Sequence, residues 1–150
     1  MVRIMFVCHG NICRSTMSEF VMKHLVQQAG IADKVYIASS ATSYEAIGCD
    51  IHRGTKAVLD EHGIPYTKRA AVRLEKSDFD KYDYFIGMDD ENIHDMKRIL
   101  GTIRKIHKLL EFAGENRSIS DPWYTGDFNK TYEDVCLGCE ALLKKILEQV

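Results

Sequence analysis

The sequence predicts an α/β domain in which four strands form a mostly parallel, twisted sheet with helices on both faces, giving three layers, α/β/α. Two observations predict it. Short apolar runs of strand length alternate along the chain with segments whose apolar residues recur at helical spacing. The opening run, VRIMFV, is almost continuously apolar, as is typical of a strand buried on both faces of a parallel sheet. We expect a single domain over residues 1–150, with ligands at the carboxyl ends of its strands.

The first half of the chain contains two predicted strands and two predicted helices. After the strand at 2–7, apolar residues at helical spacing predict a helix over 16–30. The apolar run KVYIAS predicts the second strand over 34–39. A short helix follows around 57–59, and Gly63 is placed to end it.

The second half repeats the alternation. YDYFIGM, residues 82–88, is another apolar run and predicts a buried strand. A helix follows it, with apolar positions from Ile93 to Leu100. The short apolar run IHKLLEF supplies the fourth strand, and a closing helix covers 132–150.

Charge and composition argue against several classes of partner. The net charge is -2, with 20 basic and 22 acidic residues interspersed, so no surface for nucleic acid or an anionic membrane is expected. No segment approaches the roughly 18 apolar residues of a membrane span, and the N-terminus lacks a small-residue cleavage site. We therefore expect a cytoplasmic protein. Its five cysteines, an odd number without a secretory signal, predict reduced thiols.

An anion-binding loop is predicted between the first strand and the first helix, where the sequence reads CHGNICRS. A loop that runs from a strand end into a helix start presents unpaired backbone N–H groups and the positive end of the helix dipole. Gly10 permits a close turn of the backbone. Asn11 tolerates a left-handed conformation, and its side chain can tie the loop to neighbouring segments. The loop therefore suits an oxyanion of phosphate size.

Three side chains of this loop predict phosphoryl transfer through a cysteine. Cys8 lies at the base of the loop, where the N–H groups and Arg14 stabilise a thiolate, so it is a nucleophile at neutral pH. The planar fork of Arg14 matches two oxygens of a transferring phosphoryl group. Ser15 can donate a hydrogen bond to the departing thiolate. The alternative is a buried structural cysteine beside a surface arginine.

The stretch CHGNICRS resembles the phosphate-binding loop of the low-molecular-weight protein tyrosine phosphatases. The likeness continues along the chain through SSATSYEAIGCDIHRG, HGIP, FIGMDDEN and SDPWY. It implies the Rossmann-like phosphotyrosine phosphatase I fold and hydrolysis of phosphotyrosine in proteins, and of small aryl phosphates, through a phosphocysteine. Inorganic phosphate is then both product and inhibitor. The loop residues are Cys8, His9, Gly10, Asn11, Ile12, Cys13, Arg14 and Ser15.

The resemblance assigns the proton donor to Asp121, in SISDPWY. In the first step Asp121 protonates the tyrosyl oxygen, and in the second it activates water against the phosphocysteine. Pro122 restricts the conformation of Asp121 and can aim it. Taken alone, Asp-Pro is more often a simple turn.

Aromatic residues are expected to wall a slot that suits a phenyl ring. The resemblance places a specificity loop at Tyr44 and Glu45 and an aromatic wall at Trp123 and Tyr124. Such a slot favours phosphotyrosine over the shorter phosphoserine. For Trp123 the alternative is packing in the core.

Further roles follow from the resemblance. Cys13 is the redox partner that traps oxidised Cys8 as a disulfide, the alternative being a small buried packing residue. Ser39 supports the loop through Asn11. For His9 two interpretations stay open, tuning of the field around the nucleophile and simple surface exposure. Neither a metal nor a cofactor is expected, and the C-x-x-C pair Cys136 and Cys139 is interpreted as structural.

At one position the sequence departs from the family pattern. The family usually has proline after the loop serine, where this chain has Thr16. TMSE predicts a capping box in which Thr16 and Glu19 satisfy the first N–H groups of the helix.

Three other functions are compatible with parts of this pattern. A thioredoxin-coupled arsenate reductase needs two further cysteines after the third strand, and this chain has none between Cys49 and Cys136. A protein-arginine phosphatase has threonine at the loop position of Ile12. A non-catalytic phosphotyrosine-binding module is disfavoured by the intact set Cys8, Arg14 and Asp121. The expected partners are phosphotyrosine-containing proteins, and the expected state is a monomer or a weak homodimer.

Overall fold

Four parallel strands form one sheet in the order β2, β1, β3, β4 in the computed structural model, which describes residues 1–150. The strands are β1 (Val2–Cys8), β2 (Val35–Ala41), β3 (Tyr84–Gly87) and β4 (Ile106–Lys108). Each neighbouring pair is parallel, so the sheet is entirely rather than mostly parallel. The predicted α/β fold is confirmed.

Five α-helices and three 3₁₀ segments connect and cover the strands. The helices are α1 (Arg14–Gln28), α2 (Arg53–Glu61), α3 (Asp90–Leu100), α4 (Pro122–Thr125) and α5 (Phe128–Leu147). The 3₁₀ segments are Ala32–Lys34, Lys76–Lys81 and Leu109–Ala113. None of the helices combines the length and apolar character that crossing a membrane requires.

The strand β1 is buried on both faces, as its sequence predicts. Ile4 and Phe6 belong to the larger hydrophobic cluster, which α1 and α5 cover. Met5 and Val7 belong to a second cluster with residues of α3. Because successive side chains of a strand point to opposite faces, the two clusters lie on opposite sides of the sheet and create the three layers.

The predicted start and capping of the first helix are wrong. The helix begins at Arg14 rather than Thr16, and no side chain caps it. Thr16 Oγ1 donates to the Cys13 carbonyl at 3.0 Å instead. Glu19 is 5 % exposed and accepts hydrogen bonds from Lys23 and Ser39. These partners offset the cost of burying its carboxylate, so it does not turn back to cap the helix.

Other boundaries shift for local reasons. β2 extends to Ala41 because its pairing with β1 continues to Cys8, opposite Ala41. The Ala41 N–H also donates to the Val72 carbonyl at 2.8 Å. The closing helix starts at Phe128 rather than 132, because the Asp127 side chain accepts from the Lys130 N–H and caps it. The strand predicted over 82–88 is Tyr84–Gly87. Only Ile106–Lys108 of the IHKLLEF run is strand, and the rest is 3₁₀.

Candidate active site

The predicted phosphate loop lies at the carboxyl end of β1. Cys8 is the last residue of β1 and Arg14 the first of α1, so the loop turns directly from strand into helix. Both side chains are buried, at 3 % and 2 % exposure, which rules out a surface role for Arg14. Asn11 has a φ of 59°, confirming the predicted left-handed conformation. Gly10 does not adopt a left-handed conformation. A Cβ at this position would lie 3.7 Å from Ile12 Cγ1, an ordinary van der Waals distance, so the loop has room for a side chain there.

The first turn of α1 retains free N–H groups at the loop. His52, Asp89, Asp121 and Asp127 cap the helices α2 to α5 with a side-chain acceptor, whereas α1 has no side-chain cap. An uncapped helix start offers orphan N–H donors and a positive dipole end to an anion. The loop is therefore built to receive an oxyanion.

A chain of hydrogen bonds leads from Asn11 to the sulfur of Cys8. Asn11 Nδ2 donates to Ser15 Oγ at 2.7 Å. Ser15 Oγ in turn lies 3.1 Å from Cys8 Sγ. Because Ser15 Oγ accepts from the amide, its own proton is free to point at a thiolate. This geometry supports the expected role of Ser15.

Arg14 is fixed by acceptors from three directions. Its Nη1 donates to Asp89 Oδ2 at 2.7 Å and to the Ile119 carbonyl at 2.9 Å, and its Nη2 lies 3.4 Å from Asp121 Oδ2. Burial opposes the charge, but Cys8 and Asp89 outweigh it and raise the pKa of Arg14. Arg14 is therefore a permanent, oriented cation.

Sequence reasoning missed Asp89, which positions Arg14. Asp89 follows β3 at the carboxyl edge of the sheet and caps α3, its Oδ1 accepting from the Asn92 N–H at 2.7 Å. The signal was present in FIGMDDEN, where an acid follows a buried strand directly. The edge rule that located Cys8 applies equally to this residue.

The fold brings Asp121 to the phosphate loop, although it lies 107 positions after Arg14 along the chain. Asp121 caps α4, and its Oδ1 accepts from the Trp123 N–H at 3.0 Å. Its other oxygen, Oδ2, faces Arg14. Asp121 is thus held by its own helix beside the loop, as a proton donor or acceptor must be.

One cavity of about 170 Å³ joins the loop to Asp121. It is smaller than the roughly 300–1,000 Å³ of sites for drug-sized ligands and suits a single side chain. A wider groove of about 490 Å³ runs along β2, but it shares no lining residue with the loop cavity. The smaller cavity is lined by Cys8, His9, Gly10, Ile12, Cys13, Arg14, Glu45, Ala46, Asp121, Trp123 and Tyr124.

The predicted aromatic wall is present on one side of the cavity. Trp123 and Tyr124 line it and are 62 % and 82 % exposed, so Trp123 is not a core residue. Tyr44 does not line the cavity. Its ring lies 4.3 Å below the guanidinium of Arg73 instead. Glu45 does line the cavity.

Cys13 is buried in the same cavity lining as Cys8. Burial raises the pKa of Cys13 to about 12, and the charges of Cys8 and Asp121 add to the effect. Cys13 therefore stays a protonated thiol at neutral pH. All five cysteines are free in the structure, and no group of three or more His, Cys, Asp or Glu is arranged to hold a metal ion.

A buried network holds Asn11 in its left-handed conformation. The predicted hydrogen bond between Asn11 and Ser39 is confirmed, with Asn11 Nδ2 donating to Ser39 Oγ at 2.9 Å. Sequence reasoning missed Arg69, whose Nη2 donates to Asn11 Oδ1 at 2.5 Å. Arg69 Nη1 also pairs with Glu19. Since Val72 N–H donates to the same Asn11 oxygen, every polar atom of that amide is used.

Replacing Arg69 with methionine is expected to weaken both the fold and the loop. The change removes one of the two cations that pair with the buried Glu19, leaving Lys23, at a cost of about 2 kcal/mol in the free energy of unfolding. Loss of the hold on Asn11 misplaces the loop, so kcat falls about tenfold. Denaturant unfolding and steady-state kinetics measure the two effects. Arg98→Met, in an exposed ion pair with Asp95, is the control and should change neither. Equal behaviour of the two variants would exclude the positioning role.

Comparison with known proteins finds a family model and relatives that cover almost the whole chain. The family model described as low molecular weight phosphotyrosine protein phosphatase matches residues 3–150. The low molecular weight protein-tyrosine-phosphatase YfkJ of Bacillus subtilis is 33 % identical over 153 residues, covering 99 % of this chain and 98 % of that protein. PtpA of Staphylococcus epidermidis is 35 % identical over 150 residues, covering 99 % and 96 %.

Solved structures resemble the fold closely. The crystal structure of YfkJ superposes with a TM-score of 0.95 and covers 99 % of this chain and 96 % of that one, at 33 % identity. The structure of SP-PTP from Streptococcus pyogenes gives a TM-score of 0.87 at 39 % identity, covering 97 % and 93 %.

Proposed function

The chain belongs to the low molecular weight phosphotyrosine protein phosphatase family, and we propose that Cys8 is the nucleophile with which it hydrolyses phosphotyrosine. The single observation that carries this assignment is the position of Cys8 Sγ. It lies at the base of an uncapped helix start, 3.1 Å from Ser15 Oγ, in the same cavity as Arg14 and Asp121. The substrates of a phosphatase of this family are phosphoproteins.

In the first step the Cys8 thiolate attacks phosphorus. A sulfur–phosphorus bond forms and the bond from phosphorus to the tyrosyl oxygen breaks, its electron pair leaving on that oxygen. Asp121 gives its proton to the oxygen, so tyrosine leaves neutral. Arg14 and the N–H groups of the loop bind the three other phosphoryl oxygens, where charge develops.

In the second step water hydrolyses the phosphocysteine. The Asp121 carboxylate takes a proton from the water, the water oxygen bonds to phosphorus, and the sulfur–phosphorus bond breaks. Ser15 donates its hydroxyl proton in a hydrogen bond to the departing thiolate, in the direction that Asn11 leaves free. The product phosphate occupies the loop until it dissociates, so it inhibits in competition with substrate.

The cavity supports phosphotyrosine as the substrate residue. Its volume of about 170 Å³ and the aromatic side chains of Trp123 and Tyr124 fit a phenyl ring between the surface and the loop. The side chain of phosphoserine is shorter and leaves this wall without a contact. We propose in addition that residues 1–150 act as one domain in the cytoplasm, as a monomer or a weak homodimer.

Cys13 protects the nucleophile from overoxidation. A peroxide oxidises the Cys8 thiolate to a sulfenic acid and is itself reduced. Cys13 then loses its proton and attacks the sulfenic sulfur, the sulfenic hydroxyl leaves with that proton as water, and a disulfide forms. Because the pKa of Cys13 is about 12, this thiol does not compete as a nucleophile for phosphate in the reduced enzyme.

Turnover of 4-nitrophenyl phosphate and of a phosphotyrosine peptide by the reduced protein tests the function, with the matching phosphoserine and phosphoarginine compounds as controls. We expect the phosphotyrosine peptide to be hydrolysed and the phosphoserine and phosphoarginine compounds to be left largely intact, because the aryl group fits against Trp123 and Tyr124 while its phosphate reaches the loop. Hydrolysis of either control compound at the rate of the phosphotyrosine peptide contradicts the proposal.

A further inference from the structure

The mouth of the active-site cavity is where the enzyme meets the rest of its substrate. A cavity of about 170 Å³ holds one phosphorylated side chain, so residues on either side of the phosphotyrosine lie against the rim. The most exposed lining residues form that rim. Trp123 and Tyr124 form part of the rim. Glu45, whose side chain is 77 % exposed, also belongs to it.

Glu45 carries the one exposed formal charge of this lining. The other two charged residues, Arg14 and Asp121, are 2 % and 23 % exposed and face each other inside the cavity. No lysine and no second arginine lines it. Outside the lining, the Arg73 guanidinium lies over the ring of Tyr44 and donates to the Leu74 carbonyl.

The Glu45 carboxylate is also held in place. Its Oε2 lies 3.0 Å from His9 Nε2. The His9 carbonyl accepts from both the N–H and the hydroxyl of Ser43, at 3.1 Å and 2.9 Å. The Ser43 hydroxyl oxygen accepts from the Glu45 N–H at 3.3 Å. The rim and the phosphate loop are therefore tied together through His9, which fixes the carboxylate before substrate arrives.

We propose that Glu45, positioned by His9, makes the enzyme select phosphotyrosine sites flanked by lysine or arginine over sites flanked by aspartate or glutamate. A fixed carboxylate at the rim attracts a flanking cation and repels a flanking anion. The carboxylate also repels the phosphate dianion of the substrate. A cation beside the phosphotyrosine offsets this repulsion, because it is attracted to the same carboxylate. This inference rests on the proposed function, because it concerns the substrate of the same cavity.

Three peptides that differ only in the residues beside phosphotyrosine test the proposal, with both neighbours lysine, glutamine or glutamate. We expect kcat/KM for the lysine peptide to exceed that for the glutamate peptide about tenfold at low ionic strength. In high salt the ratio should shrink to about twofold, since exposed charges are screened. Both values in this ratio come from the same variant. A loss of activity that affects all peptides equally therefore does not change the ratio.

Glu45→Gln should bring the ratio close to one, and Glu45→Lys should reverse the preference. His9→Gln should lower the ratio partly, because the carboxylate stays but is no longer held. Glu148→Lys, the same change of charge at an exposed position near the end of the chain, is the matched control and should keep the ratio.

A ratio near one in the unmodified enzyme overturns the proposal, as does a preference that survives Glu45→Lys. In either case hydrolysis of all three peptides leaves the proposed function intact. Failure to hydrolyse any of them, with phosphate still bound, rejects the proposed function instead.

Discussion

Replacing Cys8 with serine is expected to lower kcat for aryl phosphates by about four orders of magnitude or more. A serine hydroxyl is not ionised at neutral pH, and Asp121 is the proton donor of this step, so it cannot also serve as the base that activates serine. The phosphate site should survive, because the loop N–H groups and Arg14 do not depend on the sulfur. We therefore expect the Kd of inorganic phosphate to remain largely unchanged while turnover disappears.

Two measurements separate the nucleophilic role of Cys8 from a structural one. Steady-state kinetics measures turnover, and titration calorimetry measures the Kd of inorganic phosphate in the loop. Cys49→Ser, at an exposed thiol outside the cavity lining, is the control and should leave both kcat and the Kd of phosphate unchanged. Turnover retained in Cys8→Ser contradicts the nucleophile assignment. Loss of phosphate binding together with turnover would instead indicate a collapsed loop.

Replacing Asp121 with alanine is expected to lower kcat/KM for a phosphotyrosine peptide by about 10² to 10³. The tyrosyl oxygen is a poor leaving group and needs the proton that Asp121 supplies. A substrate whose phenol leaves readily as an anion should lose much less in kcat/KM. With that substrate we expect a burst of phenol release, because hydrolysis of the phosphocysteine also loses its base.

A second variant removes the structural part of the Asp121 effect. Asp121 also caps α4, and loss of a cap costs about 1 kcal/mol of stability. Asparagine keeps the capping oxygen but cannot donate the catalytic proton as a carboxylic acid does. Asp121→Asn should therefore show the same dependence on leaving group with a smaller loss of thermal stability. Equal slowing of good and poor leaving groups in both variants argues against the general-acid role.

Local sequence patterns predicted the parts of the fold that local physics decides. β1 could be identified because five of the six residues at 2–7 are apolar, and both of its faces are indeed buried. The left-handed conformation of Asn11 follows from its residue type in a tight loop. The role of Ser39 needed the resemblance, because no local pattern joins it to Asn11, 28 positions away.

The residues that sequence reasoning missed depend on long-range contacts. Arg69 lies 58 positions from Asn11, and Asp89 lies 75 positions from Arg14. The predicted capping box is wrong partly for the same reason, since the Glu19 carboxylate binds Ser39 and Arg69 from distant segments, together with Lys23 of its own helix. Tyr44 shows the complementary error. Adjacent residues were placed on one wall, but only Glu45 of the pair lines the cavity.

A crystal structure of the reduced protein with orthovanadate tests the central claim most directly, because vanadate imitates the five-coordinate phosphorus of the transition state. We predict vanadium bonded to Cys8 Sγ inside the loop, with Arg14 bound to two of its oxygens and the Asp121 carboxyl on the oxygen opposite the sulfur. Vanadate bound elsewhere, or a loop with Cys8 Sγ turned away from the anion, would contradict the account.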